Sequence, residues 1–230
     1  MNKFSAFLLS YFKYGENDAV LHCFTLENGF QSFFLKGVYS AKNKKKAYLA
    51  PLNELLITVV DKPKTSDLLL ISKIECLENL LEEYDVKIST LAFFVSDFLH
   101  QILRNEQANH LLYQEIKQFT ILISKGDSTA HYVFFIRLLK LFGISPLLQN
   151  GNFLNIERGE FQMFSEKNGT DDEVSLIWKT ILEKNINPSR IKKESRKKLL
   201  DSILLYYKCH FPDFYTPKSL PILVIFIQKF

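Results

Sequence analysis

From Ser5 to about Cys76 the apolar residues fall in short runs separated by turn residues, the rhythm of strands rather than helices. Ser5 to Phe12 is an aromatic and aliphatic run that ends at Tyr14-Gly15-Glu16-Asn17-Asp18. Ala19 to Leu26 is a second run, closed by Glu27-Asn28-Gly29, where Asn-Gly favours a hairpin turn. Phe30 to Val38 is a third, followed by a polar, lysine-loaded loop from Ser40 to Ala47. Tyr48 to Asp61 supplies a fourth, in which Leu55, Ile57 and Val59 alternate imperfectly with Glu54, Leu56 and Thr58, and Leu68 to Cys76 a fifth. Five short strands spaced by turns suit a small closed barrel; the OB-fold is the commonest such barrel, and an SH3-like barrel has the same pattern.

Near residue 77 the period changes. Leu80, Leu81, Tyr84, Ile88, Leu91, Phe94, Val95, Phe98, Leu99 and Ile102 recur at helical spacing, and His110 to Ile123 and Thr129 to Phe142 predict two more amphipathic helices. The last of these stops at Gly143, with Pro146 three residues on. The segments 152–156 and 160–164 flank Arg158-Gly159 and predict a small hairpin. Asp171-Asp172 opens a helix over Glu173 to Lys184, where acids favour the helix dipole, so this cluster reads as a helix start rather than a metal site. Arg190 to Cys209 is a further helix and Ser219 to Ile227 a short closing one. The expected fold class is α+β: a five-stranded OB-type barrel over residues 1–79, then a helical domain over 80–230 carrying a hairpin near 152–164.

Composition refines this. At 230 residues, 47% of them apolar, the chain can bury two modest cores. Its 21 phenylalanines read first as core packing. Cys23, Cys76 and Cys209 are distant and odd in number, which argues against a disulfide framework or a zinc site and fits a reducing compartment. The N-terminal apolar stretch is short and lacks a cleavage site, and no apolar run reaches the roughly 20 residues of a membrane span, so a soluble cytoplasmic chain is expected. Phosphate-binding, dinucleotide-binding, zinc-protease and serine-hydrolase motifs are absent. His22, His100, His110, His131 and His210 are scattered without ligand spacing. No catalytic constellation and no cofactor is expected.

Binding remains. The net charge of +4 is mild, but lysines cluster at 42 and 44–46, and Arg190, Lys192, Lys193, Arg196, Lys197 and Lys198 form a second run. Each is either a solvated face or a track for a polyanion. Single strands also need rings on which bases stack, for about 1–3 kcal/mol per base. Phe30, Phe33, Phe34 and Tyr39 lead into the lysine loop; alternation puts Phe30 and Phe34 on one face and Phe33 on the other, so some of them are core.

The order of these residues resembles the bacterial RecO family. Tyr14-Gly15-Glu16-Asn17-Asp18, Phe24-Thr25, Gly29, Lys36-Gly37, the Lys42 to Lys46 run and Ala50-Pro51-Leu52 are similar, in that order, to the family's N-terminal OB domain. Phe134 through Pro146, then Arg196, Leu199-Leu200, Tyr206-Tyr207, His210, Pro212 and Lys218-Ser219-Leu220 resemble its second half. Where many members carry a four-cysteine zinc module, this chain has the cysteine-free segment 153–164, which is then expected to hold its shape by packing alone.

The resemblance implies a recombination mediator: a protein that binds single- and double-stranded DNA, anneals complementary strands, associates with RecR and with the single-stranded-DNA-binding protein, and helps load RecA. On that reading Lys36, Lys42, Lys44, Lys45 and Lys46 neutralise phosphates, with Phe34 and Tyr39 beside them. Arg190, Lys192, Lys193, Arg196, Lys197 and Lys198 extend the track, and Arg137 and Lys140 rim an apolar groove for the acidic tail of the single-strand-binding protein. An RNA-binding OB module with a helical interaction domain would share the barrel, the basic loop and the charge. A protein-binding scaffold with solvated lysines is a third reading.

Overall fold

The computed structural model describes residues 2–40, 43–60, 68–78, 85–164, 170–184 and 191–229. They group into two compact units, Met1–Thr120 and Ile121–Phe230.

The first unit is built on a closed barrel with strand order β1-β2-β3-β5-β4, the order of an OB-fold. Its strands are β1 (Lys3–Tyr14), β2 (Asp18–Thr25), β3 (Gly29–Leu35), β4 (Glu54–Val59) and β5 (Leu68–Glu78). All pairings are antiparallel except β3 with β5. Phe4, Ala6, Leu8, Leu21, Phe33 and Ile57 are among the side chains that fill the interior, with Phe4 edge-on to Phe33 at 5.6 Å. The expected lysine loop contains a short 3-10 turn, Lys44–Tyr48, and the fourth strand starts only at Glu54.

β1 does not keep one alternation. A register shift between Leu8 and Ser10 reverses its parity. Beyond it, Tyr11 and Lys13 sit opposite Leu21 and Ala19, which belong to the inward row, while Phe12 sits opposite Val20 on the outward row. β1 also runs two residues past the expected strand and carries Lys13 and Tyr14 out with β2 as a hairpin.

Two helices follow: α1 (Val86–Leu103), capped by Asp85 through the Lys87 N–H at 2.7 Å, and α2 (His110–Ser124), capped by Asn109 and belonging to this unit as far as Thr120. The 18-residue α1 is apolar enough to pass for a membrane span by length and composition, but half of it is buried, with Phe94, Phe98 and Leu99 inside the unit. The connection between the helices abuts the β2–β3 turn, where the Phe30 N–H donates to the Glu106 carbonyl at 2.9 Å. Gly29 is required there: its φ is +72°, and a Cβ would lie 2.3 Å from the backbone of Glu106 and Gln107. From β4, the buried Glu54 carboxylate accepts from the Tyr113 hydroxyl (3.0 Å) and from Lys117 Nζ (2.9 and 3.0 Å) on α2. The Tyr113 ring rests on Phe7 at 4.8 Å.

The second unit contains α3 (Ala130–Leu141), β6 (Phe153–Asn155), β7 (Glu160–Gln162), α4 (Asp172–Lys184), α5 (Lys193–His210) and α6 (Leu220–Lys229). α3 ends as expected at Gly143, with φ of +70° and the Ile144 N–H returning to the Leu139 carbonyl. Trp178 on α4 is fully buried and donates to Ser202 Oγ on α5 at 2.9 Å. The β6–β7 hairpin buries Leu154, Ile156 and Phe161. Packing is not its sole support. The Leu154 N–H donates to Ser175 Oγ of α4 at 3.1 Å, and Leu147 pairs with the Gly159–Phe161 backbone. Three polar tips on α5 each satisfy a carbonyl of another element: Tyr207 that of Phe135 (2.8 Å), Tyr206 that of Ile144 (2.9 Å) and His210 Nε2 that of Ile156 (2.6 Å). The Tyr-Tyr and His positions of the closing motif therefore clamp α3, the segment after it and the hairpin to α5.

Candidate nucleic-acid interface

The described residues on either side of the basic loop are tied down by hydrogen bonds. Asp18 Oδ1 accepts from the Gly37 N–H (2.8 Å), the Asn17 carbonyl from the Tyr39 N–H (2.9 Å), and Asn43 both donates to the Gly37 carbonyl and caps Lys45. These bonds tie the loop after β3 to the tip of the β1–β2 hairpin. They bring Lys13 and Lys46 to the same ring, with the two ammonium nitrogens 5.7 and 5.8 Å from the centroid of Tyr39. Burial, and then the neighbouring Tyr11, hold the Tyr39 phenol above its ordinary pKa, so it stays a neutral donor at physiological pH.

Tyr11 (40% exposed) shares the row of Lys13, while Phe12 (49%) and Tyr14 (57%) are exposed on the opposite face of the same hairpin, so large apolar surface flanks the lysine on both sides of this rim. Tyr14 meets the half-buried Phe34 edge-on at 5.6 Å. Of the expected phosphate-neutralising residues, Lys36 and Lys46 are exposed and Lys45 is half-buried, Lys44 opens the 3-10 turn, and Lys42 lies outside the described residues. Phe33 is core; Phe30 is half-buried and stacks on His22 and His100 at 5.7 Å each. Burial lowers the pKa of both imidazoles, so neither adds charge to this face at neutral pH.

Lys13, Tyr11, Phe12 and Tyr14 are additions to the expected set. One signal for them was present in the sequence: a lysine among three rings in Tyr11-Phe12-Lys13-Tyr14, leading into a turn.

The second basic run lies in the other compact unit and is organised differently. Lys192 pairs with Glu173 at 3.2 Å and Lys198 with Asp171 at 2.8 Å, both acids at the start of α4. Arg196 is half-buried and donates from Nε to the Ile191 carbonyl at 3.3 Å. Lys193 and Lys197 are exposed and make no ion pair with a described residue, and Arg190 lies outside the described residues. On α3, Lys140 donates to the Leu182 carbonyl at 2.5 Å, and Arg137 is half-buried beside the buried Leu138. Among the described residues no group of three or more His, Cys, Asp or Glu is placed to hold a metal ion.

The barrel rim thus combines what a flexible polyanion with flat bases requires: cations that reach phosphates and rings that offer stacking surface. Comparison with known proteins bears on the same region. Residues 1–80 match the family described as "Recombination protein O N terminal". Over nearly its whole length the chain is similar to proteins named DNA repair protein RecO. It is 31% identical to that of Flavobacterium psychrophilum, covering 96% of this chain and 97% of the relative. With the protein of Flavobacterium johnsoniae the identity is 26%, over 96% and 97%. With that of Christiangramia forsetii it is 26%, over 95% of each.

Proposed function

Because the chain belongs to the RecO family of DNA repair proteins, we propose that it acts in DNA repair by binding single- and double-stranded DNA and annealing complementary strands. The observation that carries this reading is the barrel rim, where Lys13 and Lys46 converge on Tyr39, with Tyr11 exposed on the row of Lys13 and Phe12 and Tyr14 exposed on the opposite face of the hairpin. Lysines there screen the phosphates of two strands, which lowers the repulsion that keeps them apart. The rings hold one strand by the faces of a few bases and leave the pairing edges free. No bond is made or broken in this process, so the chain works as a mediator rather than an enzyme. The family reading extends to RecR and the single-stranded-DNA-binding protein as partners, to assistance in loading RecA at gaps, and to a nucleoid-associated place in the cytoplasm.

The test is anisotropy of a fluorescent oligo-dT across a salt series, with the wild type and a Lys13→Gln, Lys45→Gln, Lys46→Gln variant. Removing three phosphate contacts from a single-strand site lowers the slope of log K against log salt by about 2, at about 0.7 per contact. A weaker affinity with an unchanged slope removes these lysines from the interface. Preference for an RNA competitor over DNA of the same sequence transfers the site to the RNA-binding reading.

A further inference from the structure

The second basic run stands at the N-terminal end of α5, where the helix dipole does not favour positive charge. Two are held by carboxylates of another helix: Lys198 by Asp171 and Lys192 by Glu173. Both acids have a second hydrogen-bond partner, Asp171 on its own helix and Glu173 on α5. Asp171 Oδ1 accepts the Val174 N–H at 2.9 Å, and Glu173 is held below the usual carboxylate range by Ser195 first and then Lys192. A carboxylate on a lysine ammonium presents two acceptor oxygens and a negative charge, as a phosphodiester does. Both pairs are open to solvent, with side-chain exposures of 68% and 44% for Lys198–Asp171 and 72% and 46% for Lys192–Glu173. Pairs so exposed contribute little to stability, so a phosphate that releases its counterion is a match for them.

We propose that Asp171 and Glu173 are built-in competitors for nucleic acid, occupying Lys198 and Lys192 as stand-ins for phosphate. A single strand engages the front of α5, where Lys193 and Lys197 are already exposed, by displacing those two carboxylates. This rests on the single-strand reading above and adds a second surface to it, one that fills at higher nucleic-acid concentration than the barrel rim.

The test uses the full chain with the rim weakened by Lys13→Gln, Lys45→Gln and Lys46→Gln, and fluorescent oligo-dT as probe. Into this background go Asp171→Asn and Glu173→Gln. Asn keeps the cap on Val174, and Gln keeps an acceptor toward Ser195. Binding at low salt is expected to tighten about tenfold, and the salt slope to steepen by about 1.4, two contacts at about 0.7 each. Adding Lys192→Gln and Lys198→Gln is expected to abolish the gain. A control that removes the same charge from the exposed Glu183 and Asp201 is expected to leave the slope unchanged. Unchanged affinity and slope, a gain that survives loss of the two lysines, or an equal gain in the control overturns the proposal. Wild type measured in parallel separates the two readings: if it binds the probe and the acid variants gain nothing, this inference alone fails, whereas no wild-type binding at low salt overturns the single-strand reading and this inference with it.

Discussion

His131, at the start of α3, is 1% exposed, and burial pushes its pKa down to about 3. Asp127 and the Ser128 backbone pull it upward and Arg196 pulls it down, but desolvation dominates, so the imidazole is neutral in the folded protein at any pH near 7. In the unfolded chain it titrates near 6.5. Below that pH the unfolded state takes up a proton that the native state refuses, and stability falls until pH approaches 3. The contribution of the neutral ring is complete above about pH 6.5. By pH 5 the loss is RT times the logarithm of the unfolded protonation ratio, about 2 kcal/mol. The chain has one tryptophan, Trp178, buried in the same unit, so urea unfolding followed by its fluorescence reads this unit directly. His131→Phe keeps a ring against Tyr132 and Phe135 and removes the proton site. Between pH 7.5 and pH 5 the wild type is expected to lose about 2 kcal/mol more than the variant. Parallel losses in the two proteins would refute the account of His131 as a buried neutral group.

Two further predictions concern the first unit. Gly29→Ala combines a left-handed φ with a Cβ driven into the backbone of Glu106 and Gln107, and is expected to destabilise by at least about 2 kcal/mol in chemical denaturation followed by circular dichroism. A loss below about 0.5 kcal/mol would mean that the connection between α1 and α2 does not press on this turn. Lys117→Met leaves the carboxylate of the 5%-exposed Glu54 held by the Tyr113 hydroxyl without its cation and is expected to cost about 1–3 kcal/mol, discounted because Lys117 is itself 38% exposed. Adding Glu54→Gln removes the stranded charge while keeping an acceptor for Tyr113, so the double variant is expected to recover part of that loss; a double variant weaker than Lys117→Met alone contradicts the assignment.

Much of this architecture is legible in the chain because it is local. The Asn28-Gly29 turn, the Gly143 stop, the hairpin around Arg158-Gly159 and the acidic start of α4 each depend on a few adjacent residues whose backbone preferences agree. What escapes a reading of the sequence is non-local. Strict alternation from Phe4 would point Ser10 and Phe12 inward, but the register shift after Leu8 puts Tyr11 and Lys13 on that row instead, and so places Lys13 beside Tyr39. Glu54 blurs the pattern of β4 because α2 covers the outward face there and supplies Tyr113 and Lys117. The lysines at the front of α5 read as one uniform run, yet Lys192 and Lys198 are partnered by the acids Glu173 and Asp171 far back in the chain, a pairing visible only once α4 and α5 are folded together.

The measurement that bears most directly on the central claim is annealing of two complementary fluorescent oligonucleotides across a salt series, with wild type and with Lys13→Glu, Lys45→Glu, Lys46→Glu. Annealing by the wild type that fades as salt rises, and that is lost in the variant while its circular dichroism is unchanged, is the predicted result. Equal annealing by both proteins, or none by well-folded wild type at low salt, would contradict the claim that the barrel rim brings DNA strands together.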